Sequence, residues 1–343
     1  MESRVQQEIV PYLPGKIGAM VGALPSDKLR LLEEIRLRVN RPLLLRLGDE
    51  EYALKDAGQL TKQFSQGYLV GEDDVQRALA SVSQNSIYAL EEELRRGFIT
   101  LPGGHRVGLA GRVVLSRGEI KTMRDFSGLA FRVAREILGC AEPLAGSLTG
   151  TGQRVLNTLI VSPPRCGKTT LLRDLTRLFS EGPGELNVVV VDERSEIAAC
   201  YRGVPQLNVG HRTDVLDGCP KALGVMMAVR SLSPHLIVVD EIGRAADTEA
   251  LLECVNAGVS VIATAHGTGI EDVKRRPVLA GLLSSGVFEA IVVLSRRKGP
   301  GTVEKVFRNC SQEKSSLHHF LSRPLRHPAV SPLEDENKTV EEC

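Results

Sequence analysis

Residues 162–169, Ser-Pro-Pro-Arg-Cys-Gly-Lys-Thr, follow an apolar run at 155–161 and open a stretch of helical spacing at 168–179. That context suits a phosphate loop of the Walker A type, G-x-x-x-x-G-K-[ST]. Backbone N–H groups of such a turn, and of the helix start behind it, face an anion where the helix dipole favours negative charge. In this scheme Ser162, Pro163, Pro164, Arg165, Cys166 and Gly167 wrap a polyphosphate. Lys168 reaches the β and γ phosphates, Thr169 ligates Mg2+ through its hydroxyl, and Thr170 completes the first helical residues. Two positions depart from the pattern. Ser162 stands where the motif begins with Gly, and Arg165 where many such loops carry Gly. The Arg165 guanidinium either adds positive charge beside the phosphates or faces solvent. Cys166 reads as an inert small residue, although a helix N-terminus is a setting that lowers thiol pKa.

A phosphate loop needs a carboxylate for the metal and a base to orient water. The run at 236–239 is four apolar residues ending in Asp240-Glu241, which puts two acids at the carboxyl end of a buried strand, where α/β sheets bind ligands. Asp240 is assigned to Mg2+ through water, and Glu241 to polarising the attacking water. A second apolar run, 188–191, ends likewise in Asp192-Glu193. Glu193 ranks second as a catalytic carboxylate, against an ion pair with Arg194 or Arg202. The strand expected at 259–263 leads into Thr264 and His266, near the γ-phosphate, where a polar side chain can sense hydrolysis. Arg212, Arg230 and Arg244 are candidates to meet a phosphate of the same or a neighbouring subunit. With no N-K-x-D sequence for guanine, ATP is favoured over GTP.

Strands and helices must hold these groups in place. Past residue 154, short apolar runs alternate with helical stretches at 168–179, 220–233 and 247–256, the pattern of parallel βαβ units. The expected fold is therefore α/β: a RecA-like P-loop domain with a parallel sheet at 154–310, preceded by a smaller α+β domain at 1–145 and a linker at 146–153. Residues 311–343, rich in Ser, His, Pro and Glu, read as a disordered tail. In the first domain, 29–39 and the LLLRL run predict two strands about a turn, and 72–80 and 86–96 predict helices. Residues 106–115 predict a hairpin with 119–123 through Arg117-Gly118, with further extended stretches at 98–101 and 129–133. The Gly-rich 103–111 stretch fits a bulged hairpin better than a second phosphate loop.

The 343 residues, 42% hydrophobic, allow two such domains, and 43 basic against 42 acidic side chains leave a net charge of +1. Neither half is basic, which argues against wholesale binding to nucleic acid or an anionic membrane. Seven cysteines include no C-x-x-C pair, so reduced thiols in a cytosol are expected. The polar start MESRVQQEIVPYLPGK does not resemble a secretory leader, and no apolar run approaches the ~20 residues of a membrane span.

The stretches EEIRLRVNRPL, SIYALEEELRRGFITLPGGHRVGLAGRV, SPPRCGKTTLLRDL, VVVDERSEIA, RSLSPHLIVVDEIGR and VIATAHG resemble the stage III sporulation protein AA family of endospore-forming bacteria. That family is similar to the ring-forming ATPases of type II and type IV secretion. The resemblance implies a cytoplasmic mother-cell ATPase, forming a homo-hexameric ring and docking on membrane proteins of the sporulation channel complex, without direct membrane insertion. It also implies that Asp192-Glu193 and His266 match an acidic box and a His box. Ser162 and His235 depart from the family pattern, which commonly has Gly and Asp there. The leading expectation is an Mg2+-dependent ATPase motor. Alternatives are a nucleic-acid-binding RecA-like ATPase, which 4% aromatic content without Trp disfavours, and a nucleotide-gated scaffold with little turnover. Arg323-x-x-x-His327 matches a short nucleic-acid motif, but Pro324 and Pro328 spoil a helix there.

Overall fold

A computed structural model describes residues 3–84 and 91–308. The expectations for the start of the 86–96 helix, for Arg323 and His327, and for the 311–343 tail lie outside the described residues. The described chain divides into two compact units. One comprises residues up to Glu136 together with Asp192–Val209 and Val215–Cys219, and the other holds the remainder.

The first unit begins with helices α1 (Arg4–Glu8), α2 (Gly15–Gly22) and α3 (Ser26–Leu31). Strands β1 (Leu32–Arg38), β2 (Leu44–Leu47), β3 (Glu50–Leu54) and β4 (Leu60–Thr61) follow, then α4 (Glu72–Val82) and α5 (Glu91–Arg96). Three more strands, β5 (Phe98–Thr100), β6 (Arg106–Ser116) and β7 (Glu119–Arg132), complete a sheet of order β4-β3-β2-β1-β7-β6-β5. Its pairings are antiparallel, as the hairpin signals predict. The helical start of the 29–39 stretch is a correction: Pro25 sets φ for α3, and extended pairing begins only at Leu32. The expected strands at 119–123 and 129–133 are one continuous strand, β7, which pairs with β6 past Asp125 as far as Arg132. Alternation buries Ile35, Leu37, Leu45, Val107, Leu129 and Phe131 on one face, where α2 and α4 contribute Ile17, Val21, Val75 and Leu79. The Gly-rich stretch is a bulged hairpin, with a register shift between Ala110 and Arg112.

The second unit carries α6 (Glu142–Ala145), β8 (Thr158–Ser162), α7 (Lys168–Glu181), β9 (Val188–Asp192), β10 (Thr213–Asp217) and α8 (Lys221–Ser231). After these come β11 (Leu236–Val239), α9 (Ala245–Asn256), β12 (Ser260–His266), α10 (Ile270–Lys274), α11 (Pro277–Ser284), β13 (Ala290–Ser295) and β14 (Thr302–Arg308). The last residue of β9 and the second half of β10 belong to the first unit. The sheet order is β10-β9-β11-β12-β8-β13-β14. The five strands from β9 to β13 are mutually parallel, whereas β14 returns antiparallel along β13. The sheet is therefore mixed rather than purely parallel. The short turn after β13 leaves no room for the crossover helix that a parallel partner needs. Every residue of β8, β9 and β11 is buried, which explains their unbroken apolar runs.

Candidate functional site

The turn after β8 is shaped by two left-handed residues. Gly167, the residue before α7, has φ +78°, and Arg165 has φ +58°. A Cβ on Gly167 would come within 2.9 Å of the Gly301 nitrogen, and the Gly301 N–H donates to the Cys166 carbonyl at 2.7 Å. The turn between β13 and β14 thus fastens the loop from outside and makes glycine obligatory at 167. Nothing in the 162–169 spacing pointed to this contact, although the Gly-Pro-Gly at 299–301 is a turn signal. Ser162 is buried in β8 and lacks a positive φ, so its backbone makes no demand for glycine. Arg165 is exposed and adopts the conformation a glycine would favour. Cys166 is buried, which pushes its thiol pKa up rather than down and leaves it inert.

Lys168 is 6% exposed although it carries an ammonium group. It contacts His266 Nδ1 at 3.2 Å, and Glu241 Oε1 lies 3.9 Å from the same Nζ. His266 Nε2 meets Glu241 Oε1 at 2.7 Å. An ammonium can only donate, so Nδ1 accepts, Nε2 carries the imidazole proton, and Glu241 accepts it. The parallel register puts His266 opposite Ser162, bringing the end of β12 to the turn between β8 and α7.

Asp240 follows β11. Thr169 donates its hydroxyl to Asp240 Oδ2 at 2.7 Å, and Thr264 Oγ1 donates to Oδ1. Thr264 also accepts the Glu241 N–H at 2.9 Å, while its carbonyl accepts the Ile242 N–H at 2.8 Å. These bonds hold Glu241 at φ +56°, a strained conformation for a residue with a side chain. The buried Asp247 then accepts the Gly243 and Arg244 N–H groups and starts α9. The strand-end position of Thr264 in the sequence marks it as a candidate for this site. Its grip on both acids follows from the pairing of β11 with β12.

Lys168, Thr169, Asp240, Glu241, Thr264 and His266 therefore converge within the second unit. Pro163, Pro164, Cys166 and Thr170 lie on the same turn or helix start. Glu193 belongs to the first unit and is half-buried. Its neighbour Asp192 is buried and accepts three backbone N–H groups, from Glu196 at 2.7 Å and from Ile197 and Ala198 at 2.9 Å. Arg212 pairs with Glu185 at 3.1 Å, and Arg230 and Arg244 are exposed. His235 accepts the Asn187 N–H at 2.9 Å through Nδ1, a structural bond at the start of β11.

The donor set fits Mg2+ with a polyphosphate. Mg2+ is typically held by one or two protein oxygens plus substrate phosphates, and Thr169 and Asp240 offer such a pair. Among the described residues, no cluster of three His, Cys, Asp or Glu side chains could hold a metal.

Residues 3–313 match the family profile described as sporulation stage III, protein AA. Stage III sporulation protein AA of Bacillus subtilis (strain 168) is 47% identical over 304 residues, covering 88% of this chain and 94% of that protein. Protein SEEDLING PLASTID DEVELOPMENT 1 of Arabidopsis thaliana is 29% identical over 57% of this chain and 29% of its own length. In fold, the chain is similar to the ATPase DotB of Legionella pneumophila, with a TM-score of 0.54 and 13% identity over 81% of this chain and 74% of that one. It is also similar to the pilus retraction motor PilT with bound ADP, with a TM-score of 0.50 and 18% identity over 78% and 75%. By sequence along nearly its whole described length, this chain belongs to the sporulation stage III protein AA family.

Proposed function

We propose that this chain is an Mg2+-dependent, ATP-hydrolysing motor of a secretion-like membrane complex in sporulation. Its second unit is RecA-like, and it works as a hexameric ring in the mother-cell cytoplasm, peripheral to the membrane. The observation that carries this reading is the connected network of Lys168, His266 and Glu241 beside the Thr169–Asp240 pair, all at one phosphate-loop turn. Residues 162–170 and Lys168 bind the nucleotide phosphates, and Thr169 and Asp240 hold Mg2+. When bound, Mg2+ supplies Lewis-acid neutralisation of the phosphate charge.

On nucleotide binding, Lys168 exchanges His266 and Glu241 for phosphate oxygens. That exchange leaves Glu241 free to orient water and His266 Nδ1 free to report on the phosphate. Glu193 stands as the second candidate carboxylate.

The test is steady-state ATP hydrolysis and equilibrium nucleotide binding, with light scattering for mass on the same samples. The expected outcome is turnover and binding in the parent, both lost in Lys168→Ala. Parent protein that neither binds nor hydrolyses ATP sinks the proposal. Tight binding with scarcely any turnover supports the scaffold reading instead.

A further inference from the structure

The hairpin of β6 and β7 extends past the core that its own sheet covers. On one face, Val107 and Phe131 are buried and Leu109 and Met123 pack partly against the core. Residues two apart on a strand share a face, so Val113 and Leu115 continue the side begun by Val107 and Leu109. Leu115 stands opposite Ile120, and Val113 opposite Met123. Yet Val113 is 45% exposed, Leu115 63% and Ile120 43%. A core-type apolar strip therefore runs out into solvent.

Along the hairpin itself the charges are one-sided, whereas α5, which packs against β7, brings Glu91, Glu92 and Glu93 with Arg95 and Arg96, of which Arg95 pairs with Glu91 and Arg96 with Glu92. Between residues 112 and 124 stand Arg112, Arg117, Lys121 and Arg124 against the single acid Glu119, in a chain otherwise slightly acidic. Arg112 and Arg124 lie directly opposite each other, an unfavourable like-charge pairing that an anionic partner relieves. Among the described residues only Arg112 reaches a carboxylate, Asp125, at 3.8 Å with both groups exposed.

We infer that this hairpin is a peripheral binding surface for an anionic phospholipid bilayer. Leu115, Ile120 and Val113 enter the headgroup–acyl boundary, and the four cations meet lipid phosphates. A projecting hairpin with aliphatic side chains needs no complementary pocket in a fluid surface, and long Arg and Lys stems let the charges stay in the headgroup layer. The inference does not rest on the nucleotide reading.

The test is co-sedimentation of the full chain, without nucleotide, with vesicles of phosphatidylcholine alone or with about one-third phosphatidylglycerol. Binding is expected only with the anionic lipid and is expected to fall as salt is raised. Leu115→Ser with Ile120→Ser, and separately Arg117→Gln with Lys121→Gln, should each weaken binding about tenfold. These positions are exposed, so thermal melting is expected to stay at the parent value. Sedimentation with neither vesicle overturns the assignment and leaves the strip to an acidic protein helix. Equal binding to both vesicles, or variants that bind like the parent, overturns it as well.

Discussion

Strands β9 and β11 are neighbours, pair in parallel from Val188 to Val191, and both end in Asp-Glu after an apolar run. In sequence the two ends are near twins, and in the structure they diverge. After β9, the chain folds back so that three amides point at the Asp192 carboxylate, which is 2% exposed. That acid caps its own loop. After β11, Asp240 instead receives hydroxyls from α7 and β12, and Glu241 is held in a left-handed conformation facing His266 and Lys168. The acidic dipeptide does not set the role. Which donors the following residues and the flanking strands bring to it does.

The two strand ends are expected to differ most in catalysis. Glu241→Gln is expected to lower ATP turnover about a hundredfold or more, while Glu193→Gln stays within a few-fold. A larger loss in Glu193→Gln would reverse the two roles. Stability sharpens the contrast from the other side. Asp192→Ala orphans three amides and should cost about 3 kcal/mol in urea unfolding. Asp240→Ala, whose partners are hydroxyls at a more open position, should cost about 1 kcal/mol while abolishing turnover.

Acidity separates the ends further. Burial lifts the Asp192 pKa from 3.8 to about 6, against the opposing pull of its three amide bonds. Because the folded value is the higher one, the native state binds the extra proton. The Asp192 contribution is therefore greatest below pH 3.8 and is lost as pH rises through about 6. The parent minus Asp192→Asn difference in unfolding free energy should follow that curve, with an amplitude of about 3 kcal/mol. His105, 1% exposed between Glu8 and the Ala134 N–H, has the opposite sign. Burial lowers its pKa below 6.5, so its contribution is present above 6.5 and is lost on acidification. The smallest expected effect is at the turn between β8 and α7. Arg165→Gly relieves a left-handed side-chain residue and should raise stability by about 1 kcal/mol or less, read as a small rise in melting temperature.

Much of this could be read from residue order. Buried parallel strands appear as unbroken apolar runs because both faces are covered, so β8, β9, β11 and β12 were visible at once. The helix after Gly167 and the hairpin about Arg117-Gly118 were equally legible, because turn and helix-start chemistry is local. Less was legible where partners come from far away. β14 was missed because its pairing with β13 depends on a Gly-Pro-Gly turn embedded in a charged stretch. Helices α1 to α3 were missed because they are short and take their burial from the sheet.

Lys168 and Thr169 at a strand-to-helix turn, acids at two strand ends and His266 at the end of a further strand are legible in residue order alone. Spacing and strand periodicity encode such features within a dozen residues. That Thr264 clamps both Asp240 and Glu241, that Lys168 rests on His266, and that Asp192 serves its own loop emerge only once the strands are paired. The physical reason is hydrogen-bond accounting. A buried carboxylate takes whichever donors the fold delivers, and in a parallel sheet those donors come from strands and turns tens of residues away.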